Sequence, residues 1–310
     1  MPEWLIERGI GETRYVRVEN DEIIEARIAL DGAVRAGSVI AAQLKQVAKP
    51  TVAIAGDIEY LLPRGAPAVS EGAGLNIEVM REQIPGGEPW KRPLAKVTVE
   101  AVCDAPTVEA QLAARNEFRA AGWDDLIEQA RSGLVEFPGG GLRISPTPAM
   151  TLIDVDGYLD PDELAVRGAA EAAKAIRRLD IGGSIGIDLP TAKSKAARQA
   201  AAAVIDQYLS QPFERTAVNG FGFVQIVRPR QHASLTELAL DRPAFEARAL
   251  LRRAAFEAAG AKRLVGHPGV IAVLQSHCAW LDALARQLGG AISLRAEASV
   301  PMSGGYVENA

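Results

Sequence analysis

Long apolar runs are missing from this chain of 310 residues. None approaches the eighteen or so residues that a membrane-spanning helix requires. The opening stretch MPEWLIERG has neither the basic start nor the apolar core of a signal peptide. A cytoplasmic protein with no membrane partner is therefore expected. Cysteine is scarce: Cys103 and Cys278 lie far apart with no C-x-x-C, which excludes a disulfide framework and a cysteine zinc site and leaves both as small core residues. The three histidines, His232, His267 and His277, are scattered without metal-ligand spacing and read as structural. Positive charge is also short. A net charge of −5 argues against a protein that coats nucleic acid indiscriminately and leaves room only for a local basic groove.

What is present is a core. With 48% hydrophobic residues the chain can bury a substantial interior, and its length suggests two or three modules. RYVRVENDEIIEARIAL alternates around an END turn as a β-hairpin does. SVIAAQLKQV, TVAIA, EYLLP, LNIEVMREQI and AKVTVEAV follow as short apolar runs between Gly and Pro turns, the pattern of a small barrel or sandwich, with PGGEPWKRP as a long hairpin connection. Helical period returns over Val108 to Gln129.

The most regular part comes next. A strand over Met150 to Val155 leads to an Ala-rich helix over Asp162 to Leu179, a strand SIGIDL, a second Ala-rich helix over Ala192 to Leu209, and strands around TAVNG and FGFVQIVRPR, which is β-α-β-α-β-β. Beyond Leu235, helices over Arg242 to Gly260 and Val270 to Leu288 alternate with the strands AKRLVGHP and AISLRAE as a separate small α/β module, and the tail PMSGGYVENA reads as loosely held.

The run MTLIDVDGYLDPDE loads the end of an apolar strand with acid. Asp154 ends the first strand of the β-α-β unit and Asp188 stands near the end of the second, so parallel neighbouring strands bring both to one carboxyl edge, where sites in open α/β sheets lie. Asp156 and Asp160 follow in the loop beyond. Converging carboxylates repel, and a divalent cation relieves the repulsion; hard oxygen ligands suit Mg²⁺ or Mn²⁺. An ordinary strand-to-helix turn accounts better for Asp162 and Glu163, as an N-cap or first-turn acids. From Thr191 to Arg230 stand Lys193, Lys195, Arg198, Arg215, Arg228 and Arg230 against Asp206 and Glu214, a local excess of four positive charges (6 − 2). Phe221 and Phe223 in GFGFV fall on the same side of a strand, as sheet core or as a stacking face.

Three stretches in order, PGGGLRISPTPAMTLIDVDG, RRLDIGGSIGIDLP and FGFVQIVRPRQHASL, resemble the core of the ribonuclease E and ribonuclease G endoribonucleases. The first is similar to that family's G-G-x-L-x-I-x-x-T-x-A-x-x-x-I-D-V-N-S-G, the second to L-R-x-x-D-I-G-G-x-I-V-I-D-F and the third to F-G-L-x-E-x-x-R-x-R-x-x-x-S-L. RGIGETRYVRVENDEIIEARI is similar to the family's opening hairpin, EYLLP and LNIEVMREQI to its inserted S1 barrel, and GHPGVIAVLQSHCAWLDALARQLGGAISLRAE to its small C-terminal domain.

The resemblance implies an α/β, multi-module fold: an RNase H-like and DNase I-like catalytic core with an inserted small S1-like β-barrel and a small C-terminal α/β domain. The expected boundaries are 1–35 with 99–140 for the RNase H-like part, 36–98 for the barrel, 141–234 for the catalytic core and 235–310 for the last domain. It implies a metal-dependent endoribonuclease that cuts single-stranded RNA and leaves 5′-phosphate ends, with Asp154, Asp188 and Asp156 as catalytic and metal-binding residues and Mg²⁺ or Mn²⁺ as cofactor. Arg215, Arg228, Arg230, Phe221, Lys193 and Lys91 are the expected RNA contacts.

Asp156 replaces the family's Asn, the C-P-x-C zinc motif is missing, little room remains for the domain that senses a 5′ monophosphate, and Leu61 stands near a barrel position where the family has Phe. A compact relative with no zinc, as a monomer or homodimer, is expected. A catalytically weak or inactive RNA-binding relative is the alternative, and a different metal nuclease or phosphotransferase on an α/β sheet is the second.

Overall fold

The computed structural model describes residues 3–86 and 88–310. Met1 and Pro2 of the opening stretch and Gly87 of the PGGEPWKRP loop lie outside them.

The amino-terminal alternation builds β1 (Trp4–Arg8), β2 (Glu12–Glu19) and β3 (Glu22–Leu30). Asn20 and Asp21, with φ of 52° and 63°, make the tight β2–β3 turn; both tolerate positive φ, and such turns follow the strand twist. The chain then forms β4 (Val39–Gln46), β5 (Val52–Ala55), β6 (Ile58–Leu61), β7 (Gly74–Arg81) and β8 (Leu94–Thr98), with a short 3₁₀ turn at Pro89–Lys91. These five strands close into a barrel in the order β4-β5-β6-β8-β7. Leu44, Ala53, Tyr60, Ile77 and Val79 fill its interior.

The stretch expected to be one helix from Val108 begins instead as β9 (Ala110–Leu112), which pairs parallel to β1 at the edge of the first sheet. Helix follows as two pieces, α1 (Glu117–Ala120) and α2 (Trp123–Ser132), because Gly122 between them takes a φ of 93° that ends the first. Composition suited a helix throughout, and pairing with β1 overrode it.

A second sheet follows: β10 (Leu134–Phe137), β11 (Gly140–Pro146), β12 (Thr151–Gly157), α3 (Pro161–Arg178), β13 (Gly183–Asp188), α4 (Lys195–Tyr208), β14 (Glu214–Arg215) and β15 (Phe223–Arg228), with strand order β10-β11-β12-β13-β15-β14. The expected β-α-β-α-β-β order is present, with the TAVNG strand reduced to the two residues of β14 just before it. Helix α3 can approach because its contact face is small. Ala165, Ala169, Ala172 and Ala173 are buried, and a Cβ at Gly168 would lie 2.3 Å from Cγ1 of Val155. The first sheet, α1 to α4 and the inner face of the second sheet share one core, in which each buried Ile or Leu contributes about 1.5–3 kcal/mol.

The chain ends with α5 (Leu235–Leu238), α6 (Arg242–Ala255), β16 (Lys262–Gly266), α7 (Pro268–Ser276), α8 (Cys278–Leu288), β17 (Ile292–Ala296) and β18 (Tyr306–Asn309). The helix expected over Val270 to Leu288 is broken at His277 into α7 and α8. The tail is not loose: β18 pairs antiparallel with β16, opposite β17. This module has its own core around Leu250, Leu264, Ile271 and Leu284. Cys103 and Cys278 are both exposed, not core residues.

An ionic seam fastens the last module to the first sheet. The Arg252 guanidinium forks onto both carboxylate oxygens of Glu7, at 2.7 and 3.0 Å. Arg248 donates to Glu12 at 3.0 Å, and Arg14, 1% exposed, donates to Glu12 and to Glu7. Beside this seam Gly11 is in the left-handed region, φ 79°, and a Cβ there would lie 2.7 Å from the Trp280 ring.

A candidate active site on the open face of the second sheet

Alternation along the second sheet separates two faces. Ile144, Ile153, Val155, Ile185, Ile187, Val224 and Ile226 point into the core under α3 and α4. The other face carries Arg143 and Ser145 on β11, Leu152, Asp154 and Asp156 on β12, and Asp188 on β13, all exposed.

Strands β12 and β13 are parallel neighbours in which Asp154 is the register partner of Asp188. Their Cα atoms are thus about 4.8 Å apart, one strand spacing, with both side chains on the open face. Asp156 lies two residues further along the same face. It belongs to β12 itself rather than to the loop expected from the sequence. Partial desolvation and repulsion from the carboxylates of Asp156 and Asp188 hold Asp154 above its ordinary carboxylate value, and the positive charge of Arg143 opposes them. A divalent cation would relieve that repulsion. Among the described residues no three His, Cys, Asp or Glu side chains gather closely enough to enclose a metal. The donor set fits an ion such as Mg²⁺, which takes one or two protein carboxylates and leaves its other positions to water and substrate oxygen.

The later acids of the same run behave in the opposite way. Asp160 is the N-cap of α3: its carboxylate accepts from the Asp162 amide at 3.0 Å and from Lys193 Nζ at 2.8 Å. Asp162 accepts from the backbone amides of Lys193 and Ser194, which ties the start of α4 to the start of α3. The Lys193 hydrogen bond lowers Asp160, and the Ser194 hydrogen bond lowers Asp162. These acids are structural ties, and Lys193 is occupied by one of them.

The other expected contacts are dispersed. Arg228 is the register partner of Gly183, five residues from Asp188 and so about 17 Å down the strand. Its Nη1 donates to the Ile181 carbonyl at 2.8 Å. Arg230 lies beyond it, paired with Glu237. Arg215 pairs with Asp206 across β14 and α4, not with its neighbour Glu214. Lys91 lies in the 3₁₀ turn between barrel strands, 3.4 Å from Glu88. Phe221, by contrast, projects from the turn just before β15 and is 83% exposed. His232 faces Asp180 at 3.1 Å, His267 caps α7, and His277 stacks on Trp280 with ring centroids 4.0 Å apart.

Two further residues flank the acids, Arg143, which no sequence motif singles out, and Phe223, expected as sheet core or as part of a stacking face. Arg143 is the register partner of Asp154 on β11 and forms no ion pair among the described residues; its position in a hairpin directly before the acidic strand was the available clue. Phe223, register partner of Asp188, is not a core residue and lies half-buried on the open face. A cleft of about 770 Å³ lies away from this face, between α2, α6 and β18, with Arg115, Arg119, Arg253 and Tyr306 on its walls.

Comparison with known proteins bears on this face. Residues 94–231 match the ribonuclease E/G family, a segment somewhat under half of the chain that contains Arg143, Asp154, Asp156 and Asp188. The chain is 32% identical over 125 residues to Ribonuclease G of Escherichia coli and, to the same extent, to Ribonuclease G of Shigella flexneri, covering 36% of this chain and 26% of each relative. The match thus spans about a quarter of the length of those proteins. No helix among the described residues is long and apolar enough to cross a membrane.

Proposed function

We propose, starting from the ribonuclease E/G match of residues 94–231, that this protein is a Mg²⁺- or Mn²⁺-dependent endoribonuclease that cuts single-stranded RNA and leaves 5′-phosphate ends. The observation that carries the reading is the register of Asp154 on Asp188 across parallel strands, on an open sheet face inside the matched segment. In this reading the RNase H-like, S1-like and catalytic units follow the boundaries expected from the sequence, with the closed barrel as the S1-like insert.

Asp154 and Asp188 would hold the metal ion, which when bound supplies charge neutralisation at the phosphoryl oxygens and a water activated near neutral pH. The chain's own groups do the positioning. Arg143, on the strand beside Asp154 and without an ion-pair partner among the described residues, offers a planar fork that can take two phosphate oxygens. Asp156 puts two acceptor oxygens where the family's Asn offers one acceptor and an NH₂ donor, so it would orient donors such as water. That difference favours the second reading, a weak or inactive relative that binds RNA. The open face leaves room for a flexible strand to lie across the acids.

The test is incubation of the full chain with a single-stranded oligoribonucleotide, with and without Mg²⁺, followed by sizing and end analysis. Discrete metal-dependent fragments bearing 5′ phosphate are expected. Binding without fragments under either Mg²⁺ or Mn²⁺ would replace this reading with the second.

A further inference from the structure

Gly186 stands on the open face of β13, two residues before Asp188, and is nonetheless buried. Neighbouring side chains cause this. A Cβ at Gly186 would lie 2.7 Å from Cζ of Phe223 and 3.0 Å from Cδ2 of Leu152. Phe223 is rooted on β15 opposite Asp188, so its ring leans back across β13 and covers the bare glycine, while Leu152 reaches the same spot from β12. In the motifs that this stretch resembles, the positions of Gly186 and Phe223 hold Val and Leu. Here the central strand is bare at this point and its neighbour carries an aromatic ring.

The place of that ring decides what it can do. Its Cα is about 4.5–5.5 Å from that of Asp188, the spacing of antiparallel register partners. It therefore borders the carboxylate pair on the β15 side, as Arg143 borders it on the β11 side. An aromatic ring buried only to half its surface, beside the point where a phosphodiester would sit, offers a flat apolar surface to the base next to that phosphate. Stacking of this kind accepts any base, since each has a π-face.

We infer that Phe223, seated over Gly186, is a positioning residue that stacks one base of the RNA strand next to the scissile phosphate while Arg143 takes the backbone on the other side of the acids. The inference rests on the proposed ribonuclease reading. It adds to that reading a register for the RNA: one nucleotide fixed by its base beside the metal-binding acids.

The experiment uses the full chain and a set of single-stranded oligoribonucleotides carrying 2-aminopurine at successive positions, mixed in EDTA so that nothing is cut. With the parent protein, quenching is expected at one position adjacent to the cleavage site mapped separately in Mg²⁺. Phe223→Leu keeps an apolar side chain but removes the ring; it should abolish that quench, weaken binding about tenfold and raise KM while leaving kcat within about twofold. If Phe223→Leu melts at a clearly lower temperature, the double variant Gly186→Val/Phe223→Leu, which returns bulk to β13, carries the same comparison. An unchanged quench and unchanged KM in Phe223→Leu, with a parent that cleaves, would overturn base stacking on Phe223 and leave the ribonuclease reading standing. A ring-dependent quench in a parent that never cleaves would remove the ribonuclease reading and overturn the placement beside a scissile phosphate, leaving Phe223 as a stacking residue of an RNA-binding protein.

Discussion

Asp154 and Asp188 leave neighbouring parallel strands at the same level and on the same open face. Nothing in the hydrophobic logic of β12 or β13 requires a carboxylate at either place, because the inner faces of both strands are satisfied by Ile153, Val155, Ile185 and Ile187. Two like charges held one strand apart are costly to folding, and that repulsion adds to desolvation and to the charge of Asp156 in raising the affinity of Asp154 for a proton.

Replacing either acid should therefore separate activity from stability. Asp154→Asn and Asp188→Asn each keep the side-chain shape and remove one charge. Cleavage of single-stranded RNA is expected to fall at least about 100-fold in each, by analogy with the effect of disturbing metal-site residues, while the thermal midpoint stays level or rises. Single-turnover cleavage and a circular-dichroism melt check both parts; parental rates in both variants would place the chemistry elsewhere.

Arg143 and Arg228 should differ in what they do for RNA. Arg143→Ala removes a cation beside the acids that has no ion pair among the described residues, and is expected to lower the slope of log K against log salt by about one. Arg228→Ala removes a guanidinium bonded to the Ile181 carbonyl at the far end of the strand. It should leave the slope unchanged and cost stability. Titration of a fluorescent RNA at several salt concentrations discriminates them.

Acid should weaken the fold in two windows. Burial lowers His232 below 6.5, although Asp180 pulls the other way. Such a group keeps the native state neutral, so its contribution is complete above 6.5 and is lost as pH falls from there through the lower folded value. For Glu7, burial acts to raise the value, but the hydrogen bonds and charges of Arg252 and Arg14 outweigh it, and the result lies below 4.5. Its contribution is present above 4.5 and disappears as pH falls through the folded value. Urea midpoints measured from pH 7 down to pH 3 should show both declines, and His232→Asn should flatten only the upper one.

Glu12→Gln should be strongly destabilising. Glu12 is 4% exposed and its carboxylate is shared by Arg14 and Arg248, so its removal leaves the buried Arg248 without an acid and Arg14 with Glu7 alone, at a cost of about 3–5 kcal/mol. A drop of less than about 1 kcal/mol in denaturant unfolding would show that solvent reaches this seam.

Much of this molecule was legible in local pattern. Alternation gave the hairpin at Asn20 and the barrel strands, and the Ala-rich periods gave α3 and α4 within a few residues. The pair Asp154 and Asp188 stood out because each ends an apolar run that needs no acid. What could not be read depends on pairing between distant segments. Ala110–Leu112 becomes strand only because β1 offers an edge, and Tyr306–Asn309 only because β16 does. The same limit applied to the basic residues. A count of charge between Thr191 and Arg230 treats Arg215, Arg228 and Arg230 as one patch, whereas the strands carry them to separate ion pairs and carbonyls, and the cation nearest the acids, Arg143, lay outside that window.

The forked bond from Arg252 to Glu7, with Arg248 and Arg14 around Glu12, joins segments more than two hundred residues apart in the chain. It makes the protein hard to divide. A shortened chain ending before α6 would retain Glu7, Glu12 and Arg14, two acids and a single base in a setting built for three bases, and the excised piece would carry the unmatched guanidinium groups away with it. Neither fragment inherits a neutral surface where the cut was made, so gain or loss of this last module in related chains should be accompanied by changes at positions 7, 12 and 14.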